Sequence, residues 1–402
     1  MENTVTLTKS KRKKYFDFTL LFIVLFLLGF GLVMVYSTSS YVASVSSGDD
    51  FAFFKQQLRS IIVGLFVMFA AYLFPYKFYK KFAPFILLMA FIIVPLVLTP
   101  LGGDMGETIN GARRWIFLFG FSVQPAELVK IAVIIYTAAL LSKMTMKERQ
   151  SFRGTAFILG PAGILFLMLL FITTNLSSAI IVFGIAYVLL VIASKKNIYA
   201  YMLLIGAAIL GVLGIIMIAQ GIGSSIWGFR GERILAWLNP EAYADGKGFQ
   251  VLQSLYSIGS GGIFGKGLGK SMQKLGFLPY AQNDMIFAII CEELGLFGGL
   301  AVIFMFVLLL FRLRDIVYYT TDLFGSLLVC GVFAHIAIQV VLNVAVVTNT
   351  IPNTGISLPF ISYGGSSVIF LLAEIGIVMN VASNIDFATP NVNYQETIDE
   401  EN

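Results

Sequence analysis

About ten apolar stretches, each long enough to cross the hydrocarbon core of a bilayer, follow one another along this 402-residue chain and leave it few folds to choose from. They lie near 17–37, 58–75, 83–99, 125–143, 155–172, 176–193, 199–219, 285–311, 322–346 and 365–382. Hydrophobic residues make up 58% of the sequence and charged ones 12%, with a mean hydropathy of +0.88, which excludes an ordinary water-soluble domain. In lipid, backbone N–H and C=O groups must be satisfied within their own segment. The spans therefore read as helices and the chain as an all-α integral membrane protein. Between 155 and 193 the apolar character is nearly continuous, which leaves Thr173-Thr174-Asn175 to make a very tight turn.

Orientation follows from Lys and Arg. The first tail carries Lys9, Lys11, Arg12, Lys13 and Lys14. Every second loop after it is basic: Lys77, Lys80 and Lys81, then Lys143, Lys147, Arg149 and Arg153, then Lys195 and Lys196, then Arg312 and Arg314. The intervening short loops hold only Lys55 and Arg59, then Arg113 and Arg114. The positive-inside rule places both termini in the cytoplasm and the large loop at 220–283, between the seventh and eighth helices, outside. The expected organisation is a basic cytoplasmic tail (1–16), a ten-helix membrane domain (17–384) and an acidic cytoplasmic tail (385–402). The basic start is not a cleavable signal, because Tyr36-Ser37-Thr38-Ser39-Ser40 follows a full-length span with no A-x-A-like site.

Several function classes fall away. Cys291 and Cys330 lie inside spans and suit buried small hydrophobes rather than a disulfide or metal site. The single His335 is mid-helix, where a bond to a neighbouring helix is the simpler reading than a ligand or proton relay; no role is assigned to it. There is no Walker A sequence, hence no ATP-driven pump, and no metal-ligand cluster. No basic patch is interleaved with aromatics, and the net charge of +5 follows from topology, so nucleic acid is not a partner.

The polar residues that remain are costly in such a chain and mark candidate sites. Asp284 ends the stretch Gly276-Phe277-Leu278-Pro279-Tyr280-Ala281-Gln282-Asn283-Asp284, where the large loop re-enters a span. By position it reads equally as a helix cap or a general base. Glu292 would lie about 12 Å further along a helix, rotated by roughly 80°, too far for a close carboxylate pair. Arg230 and Arg233 have helical spacing, and Lys266, Lys270 and Lys274 follow among glycines; these read as anion-binding groups or as solvated loop charges. Arg113 and Arg114 sit beside Trp115. Glu127 and Lys130 share a helix face as an ion pair that is structural, borders a substrate cavity, or both. Glu292 and Glu293 point to nearly perpendicular faces, so at least one faces protein or a cavity. Glu374 has no assigned role. Gly364-Gly365-Ser366-Ser367, after Pro359, is either a broken segment lining a cavity or a helix N-terminus capped by Ser.

Four stretches carry a family resemblance: Asn110-Gly111-Ala112-Arg113-Arg114-Trp115-Ile116 with Gln124-Pro125-Ala126-Glu127-Leu128-Val129-Lys130; Gly228-Phe229-Arg230-Gly231-Glu232-Arg233-Ile234, leading to Gly259-Ser260-Gly261-Gly262 and Gly265-Lys266-Gly267-Leu268-Gly269; Gly276 to Gly295; and Pro352 to Ser367. In this order they resemble the SEDS family (shape, elongation, division and sporulation), which includes FtsW, RodA and SpoVE, over about residues 15–384. Ala112-Arg113-Arg114-Trp115 and Gly355-Ile356-Ser357-Leu358-Pro359 resemble the FtsW/SpoVE branch more than RodA.

The resemblance implies a peptidoglycan glycosyltransferase of the bacterial cytoplasmic membrane. It would polymerise lipid II into β-1,4 glycan at the outer face, in division, with undecaprenyl pyrophosphate as leaving group. Asp284 would be the catalytic base of a single inverting displacement. Arg230, Arg233, Glu127, Lys130, Arg113, Arg114, Lys266, Lys270 and Ser366 would border the substrate. The resemblance implies no definite cofactor; a divalent cation could enter through the substrate pyrophosphate. The expected partners are a class B penicillin-binding protein and other divisome or elongation proteins. The alternatives are a lipid II flippase or a non-catalytic scaffold for that transpeptidase. Two departures bear on these: Thr174-Asn175-Leu176-Ser177-Ser178 replaces the family's Pro-Asp-Leu-Gly-Thr stretch, and Gln282-Asn283-Asp284 replaces His-Thr-Asp.

Overall fold

A computed structural model describes residues 16–99, 114–118, 121–222 and 224–385. Arg113 lies outside them. The helices are α1 (Phe18–Ser47), α2 (Ala52–Leu73), α3 (Lys77–Ile93), α4 (Pro125–Leu141), α5 (Met146–Gln150), α6 (Phe152–Phe171), α7 (Leu176–Ala193), α8 (Ile198–Ala219), α9 (Ser224–Leu238), α10 (Lys247–Gly261), α11 (Ile286–Tyr319), α12 (Leu323–Val347) and α13 (Gly365–Ala382). A small antiparallel hairpin, β1 (Ile116–Leu118) on β2 (Phe121–Val123), pairs Ile116 with Val123 and leads into Pro125 at the first turn of α4.

Among the described residues nine helices are long and apolar enough to cross a membrane. The tenth expected span is α4, 17 residues long with Glu127 in its first turn. The expected turn at 173–175 holds: Thr174 takes a left-handed conformation (φ 48°), and Asn175 Oδ1 caps α7 by accepting from Ser178 N–H at 3.1 Å. Two helices run longer than hydropathy suggests. α1 runs on through its polar turn to Gly48, with the hydroxyls of Thr38 and Ser39 satisfied inside the helix by donating to Met34 O (2.8 Å) and Val35 O (2.7 Å).

α11 is the other, and it is broken. Gly295 (φ 71°, ψ −167°) separates a buried half-helix, 286–294, from the long remainder. A break exposes backbone groups that lipid cannot satisfy. Here the glycine-rich loop after α10 meets them: Lys266 and Gly267 N–H donate to Glu292 O (3.0 Å) and Glu293 O (2.9 Å), while Gly262 O accepts from Leu296 N–H at 2.9 Å. The large loop is itself largely helical, carrying α9 and α10.

The bundle has a clear centre and edge. In α13, 72% of the apolar span is buried, against 6% in α8. α12 and α7 lie with α13 at the centre, and α2 crosses α13 where Gly376 meets the Met68 backbone. Large apolar side chains on the outer faces, such as Phe66, Phe85, Phe297 and Leu210, are exposed in the manner of a lipid-facing surface. The irregular segment 351–364 is tolerated because it is enclosed: Phe360 and Ile361 are buried against α1, where Gly31 leaves no room for a Cβ.

Candidate active site

Segment 348–364 is the hub on which the candidate residues converge. On one side Gln57, fully buried on α2, donates to Ser362 O (3.3 Å) and accepts from Gly364 N–H (3.1 Å). Tyr363 N–H donates to Gln282 O at 2.9 Å. On the other side α9 docks: Trp237 Nε1 donates to Asn349 O (3.0 Å) and Arg233 Nη1 to Asn353 O (3.1 Å). From α12, Asn343 Nδ2 donates to both Ile356 O (2.7 Å) and Asp284 O (2.9 Å).

That last pair of bonds fixes Asp284. Its carboxylate does not cap α11, because Met285 occupies the N-cap position and no side chain bonds there. Oδ1 is buried with no hydrogen-bond partner. Gly355 passes beside it in a left-handed conformation (φ 71°), near enough that a Cβ there would stand 3.7 Å from Oδ2. Burial pushes the Asp284 carboxyl up to about 6, against the opposing pull of its own backbone N–H and of the Arg233 charge.

Two arginines complete the electrostatics. Arg114, just before β1, donates Nη2 to Thr174 O at 3.1 Å, while its Nε is buried without a partner. Burial lowers the pKa of Arg114 and of Arg233. Arg233 is lowered further by the neighbouring Arg114 charge and raised by Asp284. Arg233 thus lies in the field of a second cation on one side and of the carboxylate on the other, and two neighbouring arginines suit a group carrying several negative charges. Arg230 lies on α9 past its kink at Gly228, and its side chain lies outside the described residues.

The other sequence candidates divide. Glu127 and Lys130 form the expected pair, 2.8 Å apart and both buried, though Glu127 Oε2 is not aligned for a hydrogen bond. Lys130 Nζ also reaches Gln339 Oε1 at 3.3 Å. Ser366 Oγ accepts from Gln124 N–H at 3.4 Å, tying α13 to the start of α4. Lys266 is held by Glu292 at 2.7 Å, and Lys274 by Glu293 at 2.9 Å; Lys270 is exposed. Sequence reasoning missed Gln57, Gln339, Asn343, Asn353 and Trp237. The available signal was His335, Gln339 and Asn343 at i, i+4 and i+8, a polar stripe on an otherwise apolar helix.

Fold and site together define a multi-pass helical membrane protein whose polar centre lies where a large loop meets the bundle. A family model described as "Cell cycle protein", covering FtsW, RodA and SpoVE, matches residues 18–386, and the chain belongs to that family. Stage V sporulation protein E of Bacillus subtilis is 38% identical over 91% of this chain and 96% of its own. The probable peptidoglycan glycosyltransferase FtsW of Geobacter metallireducens is 36% identical over 93% of this chain and 96% of its own. Among solved structures, a chain of a peptidoglycan synthase complex that coordinates polymerization and crosslinking superposes with a TM-score of 0.72 at 26% identity, covering 91% of this chain and 97% of that one. The rod shape determining protein RodA of Thermus thermophilus shares the fold, with a TM-score of 0.62 at 24% identity, covering 91% of this chain and 96% of that one.

Proposed function

We propose that this chain is a peptidoglycan glycosyltransferase that polymerises lipid II at the outer face of the cytoplasmic membrane, with Asp284 as its general base. The observation that carries this reading is the unpartnered Asp284 Oδ1, buried beside a left-handed glycine and within the field of Arg233. Glycosyl transfer between two lipid-linked sugars needs one group to take the proton of the acceptor hydroxyl as it attacks the anomeric carbon. A carboxyl near 6 is ionised at neutral pH and more basic than an ordinary aspartate. The leaving pyrophosphate needs no acid, only cations for its growing charge, and Arg114 and Arg233 supply them. Any divalent cation would arrive on the pyrophosphate itself.

A single inverting displacement fits best. A retaining mechanism needs a second free carboxylate about 5 Å from the first. Glu292 and Glu293 are fully buried and occupied by Lys266 and Lys274. The distribution of Lys and Arg supports the outward orientation, and the likeness to a synthase-complex chain supports a class B penicillin-binding protein as partner.

The deciding experiment is glycan synthesis from lipid II by the purified chain with its cognate transpeptidase, wild type against Asp284→Asn. Polymer from the wild type alone, with the variant folded and in complex, supports the assignment. Equal polymer from both removes Asp284 from the chemistry. Transport of lipid II without polymer would favour a flippase, and partner binding without either would favour a scaffold.

A further inference from the structure

The centre of the bundle holds a second polar assembly that the proposed chemistry does not use. His335 on α12 is buried, with Nδ1 2.8 Å from Glu374 Oε2 of α13 and Nε2 2.9 Å from Gln339 Oε1 one turn along its own helix. The Gln339 amide has only one orientation open to it, because its Nε2 donates to Ser357 O at 3.0 Å. Gln339 Oε1 therefore accepts from two sides, from Lys130 Nζ (3.3 Å) on α4 and from His335 Nε2. A carbonyl oxygen has two lone pairs, and both are engaged.

The contacts pair the ionisable groups, Glu127 with Lys130 and His335 with Glu374. Pairing of this kind is what buried ionisable groups in a bilayer require.

The assembly also has a direction. Gln339 and Asn343 lie one turn apart on α12. Gln339 holds Ser357 O, and Asn343 holds Ile356 O and Asp284 O. The segment that passes Asp284 at Gly355 is thus gripped at two successive carbonyls from one helix face.

We propose that His335, braced by Glu374, is a positioning residue for transfer: it locks Gln339 so that a single amide sets both the Lys130 ammonium and the Ser357 segment facing Asp284. This rests on the glycosyltransferase reading above. His335 and Glu374 are buried and bond to one another, and His335 bonds to Gln339, not to Asp284. Their effect passes through Gln339, and that dependence is what distinguishes positioning from general support of the fold.

The test is a variant series in the full chain with its partner transpeptidase, read by kcat, KM, thermal unfolding and hydrogen exchange over 348–364. His335→Leu with Glu374→Leu removes the pair without stranding a buried charge, so the double variant should fold, which its thermal unfolding checks. Its kcat should fall about tenfold or more with KM within about twofold, and exchange over 348–364 should quicken. Glu374→Gln leaves a neutral bridge to His335 and should retain most of the wild-type kcat. Gln339→Leu should lose as much as the double variant, and combining all three changes should lose no more. Wild-type kcat and unchanged exchange in the double variant overturn the proposal, as do losses that multiply in the triple variant. Asp284→Asn, run alongside, keeps the two ideas apart. Polymer from Asp284→Asn would sink the base assignment while leaving the Gln339 coupling readable in the wild-type background. If the wild type makes no polymer, the glycosyltransferase reading fails and the positioning proposal falls with it.

Discussion

Asp284 and the Glu292–Glu293 pair stand at opposite ends of one short half-helix, and their surroundings could hardly differ more. Glu292 accepts from Lys266 Nζ (2.7 Å), Met272 N–H (3.2 Å) and Ser271 Oγ. Glu293 accepts from Lys274 Nζ (2.9 Å), Ser37 Oγ (2.8 Å) and Ser271 N–H (3.4 Å). Asp284 Oδ1 accepts nothing. Glu292 and Glu293 are thus each held by a lysine and further donors, whereas the Asp284 carboxyl has only its own backbone N–H and the Arg233 charge to oppose the cost of burial. Saturated carboxylates hold structure together, whereas an unsatisfied one retains its basicity.

The sharpest break of this contrast exchanges the two phenotypes. Asp284→Asn should lower glycan synthesis by about 10²–10⁴-fold, measured as turnover per folded molecule. Lys274→Met should do the reverse. It strands Glu293 and should cost about 3–5 kcal/mol of stability, seen in denaturant unfolding, while the molecules that remain folded keep their turnover. A Lys274→Met variant of normal stability would deny the bracing role. Next in size, Arg233→Gln should lower kcat/KM by about 10–100-fold through loss of one charged hydrogen bond.

Two smaller effects depend on pH. Turnover should rise through about pH 6 as Asp284 ionises and then level off. Arg233→Gln should move that limb upward, since the Arg233 charge favours the ionised form. Stability runs the opposite way. Burial raises the Asp284 pKa above its ordinary 3.8, so its stabilising contribution is full below that value and lost as pH rises through about 6. Asp284→Asn avoids this loss and should be more stable than wild type at pH 7 by on the order of 1–2 kcal/mol, a difference that vanishes in melts at pH 3.5.

Much of this was legible in the sequence because it is local. Apolar length announces a span, and i,i+3 spacing pairs Glu127 with Lys130. A rare acid at a span boundary drew attention to Asp284. What escaped is non-local. Nothing in the spacing of Lys266 and Lys274 says that each meets a glutamate at the far end of the next half-helix, which left them as candidates for substrate. His335 and Glu374 lie on different helices, so neither announces the other. The break at Gly295 was masked because hydropathy continues through it. The sequence marks 352–367 as unusual, but not the side chains on other helices that hold its backbone, such as Gln57, Arg233 and Asn343.

The join between the α10 loop and the broken helix carries a consequence for heredity. A Cβ at Gly261, Gly265 or Gly295 would run into the backbone of Cys291, Glu293 or Ile263 respectively. Neighbouring backbone cannot step aside as a flexible side chain can. Every amino-acid replacement reachable from a glycine codon by one base change adds a Cβ, so at these three positions no missense step is conservative. Side chains on the lipid-facing surface have room around them, whereas at these three positions every adjacent sequence drives a Cβ into backbone.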